Sequence, residues 1–322
     1  MKAAARWGGA VRAAHDRLQG HVVTTPTVAA PWLAHELGLE VRLKLENVQT
    51  TGSFKLRGAV HALLQLPSAQ RQAGVVAASS GNHGLALATA AQAFGVPVTV
   101  FVPTSTPAAK RHAIAAAGAT VVVHGDDCVD TEARARRDAA ASGRAYVSPY
   151  NDPHVIAGQG TVAVELLQQW PEVDTVYVAL GGGGLVAGMA AYLKQQRPGL
   201  EVVACSPRVS AAMATCVRAG QLVDVPCGPT WSDSTAGGVE PGAITFPLCC
   251  ELVDRLIDVD EPAIATAMRD CLQHQHLLVE GAVGVAIAAC RADRDRRGRR
   301  AAVVVCGGNL PLELLRTLLA SG

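Results

Sequence analysis

The 322-residue chain has no surplus of charge: 28 Lys and Arg stand against 27 Asp and Glu, and charged residues make up only 17% of it. Without a bulk field of one sign there is nothing to draw nucleic acid or an anionic membrane. The one basic run, "RADRDRRGRR" from Arg291 to Arg300, is broken by acids and a glycine and reads as a solvated linker between a helix and a strand. No C-x-x-C pair occurs among the nine cysteines, whose count is odd and whose neighbours are mostly apolar, so reduced core thiols are expected. No apolar run approaches the ~20 residues that a bilayer-spanning helix needs. The opening "MKAAARWGGAVRAAHDRL" also lacks the continuous apolar stretch of a signal peptide, so a cytoplasmic setting is expected. Internal repeats and low-complexity tracts are missing too. What the chain does have is 49% hydrophobic residues, enough for a large core and room for two domains.

From Gly74 onward, short β-branched runs alternate with alanine-rich helical runs: "VVAA", a helix to Phe94 closed by Gly95, "VTVFVP", a helix through "AAKRHAIAAAG", then "TVVVHG". The alternation resumes with a helix at "TVAVELLQQW", the strand "TVYVAL", a helix from Leu185, the strand "EVVACS" and, far downstream, "AAVVVCGG" before a last helix. This is the pattern of parallel βαβ units, so the expected class is α/β with two doubly wound lobes. Between "EVVACS" and "AAVVVCGG", the stretch "DVPCGPTWSDSTAGGVEPGAITFP" has no clear period and reads either as irregular structure beside a site or as an ordinary surface loop.

Three polar or glycine-rich breaks each follow an expected strand: "SSGNHG", "GGGG" and "CGGN". In open α/β sheets ligands lie beyond the carboxyl ends of strands, so the breaks are expected to converge on one cleft. Gly181 to Gly184 join a strand to a helix, where bare backbone N–H groups and the macrodipole suit a phosphate. A tight turn would need only one or two of these glycines. From Gly182 the stretch is also G-x-G-x-x-A ending at Ala187, but the next strand ends in Cys205, Ser206 and Pro207, with no acid for a ribose diol. A nicotinamide cofactor is therefore the weaker reading, kept open in phosphorylated form by Arg208. In "TGSFKLRGA", Ser53 is placed as a helix N-cap and Lys55 in the first helical turn, where an ammonium is destabilised and the neutral amine favoured. A phosphate cradle plus an activated amine fits an aldehyde cofactor that carries a phosphate, pyridoxal phosphate. A solvated surface lysine is the alternative for Lys55 on its own.

"TGSFKLRGA", "SSGNHG", "IAGQGT", "GGGG" and "VVVCGGN", in this order and at these separations, resemble the fold-type II pyridoxal-phosphate enzymes, in particular the threonine/serine dehydratase and serine racemase family, over nearly the whole chain. The resemblance implies a tryptophan synthase β-like architecture, with a small domain at 73–146, a large domain made of 1–72 and 147–322, and the cofactor between them. It implies that Lys55 carries the cofactor as a Schiff base and takes the Cα proton, that Phe54 packs near the ring, and that Asn82 bonds the ring hydroxyl. Gly181, Gly182, Gly183, Gly184 and the N–H of Leu185 would bind the phosphate. Ser79, Ser80, Gly81 and His83 would surround the substrate carboxylate, with Ser80 able to act as a base on the opposite face. A family glycine falls on Gly238, and the partner of the ring nitrogen on Cys306. A neutral thiol there makes the ring a weaker electron sink than a carboxylate would, which suits direct β-elimination. The implied reaction dehydrates and deaminates a small-molecule 3-hydroxy amino acid to a 2-oxo acid and ammonia, with amino-acid racemisation as the alternative and a homodimer as the expected assembly.

The pattern departs from the family in places. The divalent-cation ligands of racemase-like relatives fall on Ser206 and Ala212, so no metal is expected. The family's "A-D-G-V" becomes Ala236, Gly237, Gly238, Val239, and its "E-P" becomes Glu280, Gly281. These changes look closer to the dehydratase branch associated with hydroxyectoine utilisation and to enzymes acting on bulkier substrates such as phenylserine.

Overall fold

A computed structural model describes residues 2–320. After helix α1 (Lys2–Leu18), the chain makes β1 (Thr27–Ala29), α2 (Pro31–Leu37), β2 (Glu40–Leu45), α3 (Lys55–Gln65) and α4 (Ser68–Ala73). A first open sheet follows: β3 (Val75–Ala78), α5 (Asn82–Phe94), β4 (Val98–Val102), α6 (Ala108–Ala116), β5 (Thr120–Val123), α7 (Cys128–Ser142) and β6 (Ala145–Tyr146). The rest comprises α8 (Pro153–Gln169), β7 (Thr175–Ala179), α9 (Gly184–Gln196), β8 (Glu201–Pro207), α10 (Ala212–Ala219), α11 (Thr245–Leu252), β9 (Arg255–Val259), α12 (Glu261–Gln275), α13 (Gly281–Ala292), β10 (Arg300–Val305) and α14 (Leu312–Ala320).

The smaller sheet has the order β5-β4-β3-β6, all parallel; the larger is β1-β2-β10-β7-β8-β9, parallel except for β1 against β2. Buried on both faces, strands such as "VTVFV" and "TVYVA" are continuously apolar rather than alternating. Order reverses between β3 and β6 in one sheet and at β10 beside β7 in the other. Such switch points open crevices at the carboxyl ends of strands, and here they place the loops after β3, β6, β7 and β10 around one cleft. The apolar face of α3 (Leu56, Ala59, Val60, Leu63) joins the core of the smaller sheet, while its backbone lies against α8, so α3 runs along the seam.

That seam is close because glycines allow it. A Cβ on Gly158 of α8 would stand 2.7 Å from Arg57 O and Gly58 Cα, and one on Gly160 would stand 2.7 Å from Gly188 O of α9. The "IAGQGT" stretch thus brings α3, α8 and α9 together and fixes the separation of Lys55 from the glycine loop. Behind Lys55 lies a buried ionic cluster. Arg57 forks to Glu46 (Nε–Oε2 2.7 Å) and to Glu165 (Nη1–Oε1 2.6 Å), and Lys44 donates to Glu165 (2.7 Å) and to Thr25 O (2.6 Å). Two cations face two carboxylates, which is what makes burial of all four tolerable.

Candidate active site

Lys55 opens α3, as the sequence reading expects, but Ser53 does not cap it. The N-cap residue is Phe54, in helical conformation and without a side-chain cap, while Ser53 pairs with Gly307 in an isolated bridge and its Oγ is buried without a partner. Bridging to the loop after β10 overrides local capping preference. Phe54 N–H donates to Cys306 O (3.0 Å), so the residue before the lysine is clamped to the end of β10. Lys55 Nζ lies 5.2 Å from the Phe54 ring centroid and donates to Pro149 O (2.8 Å). Burial pulls its pKa down to about 8, against the opposing pull of the Glu280 and Cys306 side chains. Near neutral pH a usable fraction of neutral amine follows.

The glycine loop runs from Gly181 into α9. Gly183 takes φ +88° as an N-cap with no side-chain partner, and Thr245 Oγ1 donates to Gly182 O (2.7 Å), turning that carbonyl aside. The first-turn N–H groups, including that of buried Leu185, are left for an external acceptor. A Cβ at Gly182 would run into the Tyr150 ring, and one at Gly184 would come within 3.1 Å of Tyr150 Cα. A Cβ at Gly181 would come within 3.0 Å of Thr235 Cα, so close packing and a positive φ account for all four glycines and leave the loop backbone bare. By contrast, α7, α8 and α12 are closed by Asp127, Asp152 and Asp260 caps.

"SSGNHG" lies after β3. Gly81 is the N-cap of α5, again without a side-chain cap, and its N–H donates to Ser79 Oγ (3.3 Å). Ser79, Ser80 and Gly81 are half-buried at this helix start. The His83 ring does not face an anion: it is buried, it donates to Val147 O (2.9 Å), and burial with nearby Lys55 drives its pKa down to about 3. With the ring neutral and turned to Val147, the group His83 has to offer a carboxylate is its backbone N–H. Asn82 donates to Glu280 Oε2 (2.8 Å), tying the smaller sheet's lobe to α13 of the other.

Cys306 is buried at the end of β10, its thiol pushed well up by burial and by Glu280, whose Oε1 is 3.9 Å from Sγ. It is a neutral thiol, as expected. Gly238 sits in the irregular stretch that the sequence left open between a site wall and an ordinary surface loop. That stretch is anchored on one side by Ser234 Oγ donating to Glu280 Oε1 (3.0 Å) and on the other by the Glu240 N–H donating to Tyr150 Oη (3.0 Å). Gly237 takes φ +120°, and nothing lies within 4 Å of a Cβ on either glycine. A backbone angle closed to L side chains accounts for glycine where the family has aspartate. At Gly281 a Cβ would collide with the Trp231 carbonyl, so glycine lets the 231–235 segment lie directly on α13. Ser206 Oγ donates to Leu180 O (3.4 Å), and no group of three or more His, Cys, Asp or Glu gathers among the described residues.

Sequence reasoning missed Pro149 and Tyr150, which follow a two-residue strand too short to register, and left Glu280 and Asn309 without roles although both stand in quoted motifs.

These walls define a pyridoxal-phosphate site of the kind built between two open sheets. A model of the "Pyridoxal-phosphate dependent enzyme" family matches residues 18–307, and the chain belongs to that family. It is 36% identical over 312 residues to an L-threonine ammonia-lyase of Thermotoga maritima, covering 97% of this chain and 78% of that one. It is likewise 36% identical over 307 residues to an L-threo-3-hydroxyaspartate ammonia-lyase of a Pseudomonas species, covering 95% and 96%. Among solved structures, maize serine racemase superposes with a TM-score of 0.91 at 31% identity, covering 97% of this chain and 96% of that one. The cofactor is pyridoxal phosphate, and its fit rests on the uncapped glycine cradle facing a half-buried lysine. It supplies an aldehyde for the substrate amine and a ring that draws electrons from Cα.

Proposed function

We infer that this chain is an ammonia-lyase that removes water from a 3-hydroxy amino acid and releases a 2-oxo acid and ammonia. The observation that carries the reading is Lys55: an amine with its pKa drawn down to about 8, held by Pro149 O beside the uncapped start of α9. With the cofactor bound, Lys55 Nζ would accept the Cα proton as the Cβ–O bond breaks and the hydroxyl leaves with a proton as water. The released enamine hydrolyses to the 2-oxo acid and ammonia. The first-turn N–H groups of α5, with Ser79 and Ser80, are assigned to the substrate carboxylate. Cys306 is assigned to the ring nitrogen, where a neutral thiol favours elimination over longer-lived carbanion chemistry.

For the substrate, we propose a neutral, bulky Cβ substituent such as that of 3-phenylserine. Gly237 and Gly238 leave open space, and two cations at this rim are already paired, Arg136 with Glu132 and Glu240 and Lys110 with Asp233, which disfavours a second substrate carboxylate. A homodimer in the cytoplasm completes the proposal, to be checked by light scattering and cell fractionation. The deciding experiment compares 2-oxo acid release from threonine, serine, 3-phenylserine and 3-hydroxyaspartate. A strong preference for serine or hydroxyaspartate would refute the substrate proposal, and full activity in K55A would refute the mechanism.

A further inference from the structure

Asn82, the first residue of α5, has its side-chain amide gripped at both ends. Nδ2 donates to Glu280 Oε2 (2.8 Å), and Oδ1 accepts from Asn309 Nδ2 (2.7 Å). Neither assignment can be flipped without loss. Asn309 Nδ2 also donates to the carbonyl of Thr51 (2.9 Å), which can only accept; burial raises the Glu280 pKa, but donors from Asn82 and Ser234 oppose the rise, and in its ionised form Glu280 can only accept as well. Two acceptor-only groups from opposite ends of the chain therefore fix both amides. Glu280 is itself held, 3% exposed, by Ser234 and beside Cys306. Asn309 follows Gly307 and Gly308 at the end of β10, where Gly308 N–H donates to Gly52 O (2.9 Å), so it too is on a rigid support. With Oδ1 and one N–H spoken for, a single N–H of Asn82 is left over.

We propose that Glu280 and Asn309 are positioning residues that lock the Asn82 amide so that it offers a donor, and never an acceptor, to the ring oxygen of the pyridoxal phosphate carried by Lys55. This rests on the assignment of Asn82 to that oxygen. A donor favours the oxygen as an anion, the form of the bound cofactor that absorbs at long wavelength; an acceptor would require a neutral hydroxyl, which absorbs at shorter wavelength.

The informative change is N309D. Aspartate keeps the size of the side chain, but it cannot donate to Asn82 Oδ1 and competes for the spare N–H. In purified holoprotein, N309D and N82A are expected to move intensity several-fold from the long- to the short-wavelength band. E280Q, whose amide carbonyl still accepts, should stay near the unaltered ratio. Circular dichroism and melting temperature report folding, and N309A, which deletes the donor without adding an acceptor, stands in if N309D does not fold; it should give a smaller shift in the same direction. A folded N309D, or N309A in its place, with an unmoved ratio beside a shifted N82A overturns the proposal, and so does an unmoved N82A. A colourless unaltered protein would bring down the cofactor assignment and this proposal with it, which keeps the two failures distinct.

Discussion

At the scale of single residues, Lys55 links chemistry to stability. Its ammonium is disfavoured in the folded state, so between about 8 and the ordinary lysine value of 10.5 the unfolded chain binds more protons than the folded one, and stability rises with pH across that window. Below about 8 the burden is fully present. In cofactor-free protein, K55M should therefore raise the melting temperature at pH 7, by roughly 2 °C per kcal/mol relieved, and the gain should shrink toward pH 10.5; an equal gain at both pH values would contradict the burial argument. Residue identity was the most legible level of the sequence. Lys55 at a helix start, the four glycines at a strand-to-helix turn and Cys306 at a strand end lie on the elements that the sequence pattern assigned them, because such turns leave a local glycine signature. Ser53 misled because its neighbour across the cleft, Gly307, is 254 positions away in the chain and no local rule can see it.

At the scale of elements, α3 carries the reactive amine at one end and the buried Arg57 two residues later. R57M would leave Glu46 and Glu165 facing one lysine, and is expected to cost about 3–5 kcal/mol, measured by urea unfolding. A loss within error of zero would mean the cluster relaxes by admitting water. The segment from Trp231 to Thr235 depends on Gly281 in a different way. G281A must push the Trp231 carbonyl outward and with it Ser234, so weaker substrate binding is expected together with about 1–3 kcal/mol of lost stability. An unchanged KM would show that the segment does not bound the site. The glycine at this position was visible in the sequence as a departure, but its reason was not, because it lies in a contact made by a stretch with no periodicity. Strands β2 and β9 escaped notice for a related cause: "EVRLKL" and "RLIDV" alternate with charge and lack the continuous apolar run of their neighbours.

For the whole molecule, the two sheets meet across the cleft through a few polar ties. Asn82–Glu280 is partly buried, whereas Lys110–Asp233 (3.1 Å) and Arg136–Glu240 lie nearer solvent. Exposed pairs of this kind are worth about 0–1 kcal/mol each and are weakened by salt. K110A should thus leave the melting temperature within about 1 °C while raising KM modestly, an effect that 0.5 M salt, which shortens the Debye length from about 8 Å to roughly 4 Å, should mimic in the unaltered protein. Indifference of KM to both would argue that the lobes are not held by charge. The arrangement of the two sheets was readable as βαβ alternation, since parallel strands covered on both sides must be apolar. That the loops after β3, β7 and β10 share one cleft was legible from their chemistry, whereas the share of the loop after β6 was not, because that strand is only two residues long.

The bare amides at Gly181 to Leu185 bear on how the protein is handled at the bench. A preparation stripped of its vitamer offers that niche to any tetrahedral oxyanion, so inorganic phosphate or sulfate in the buffer should compete with reloading and slow the return of colour, whereas chloride or a bulky zwitterionic buffer should not.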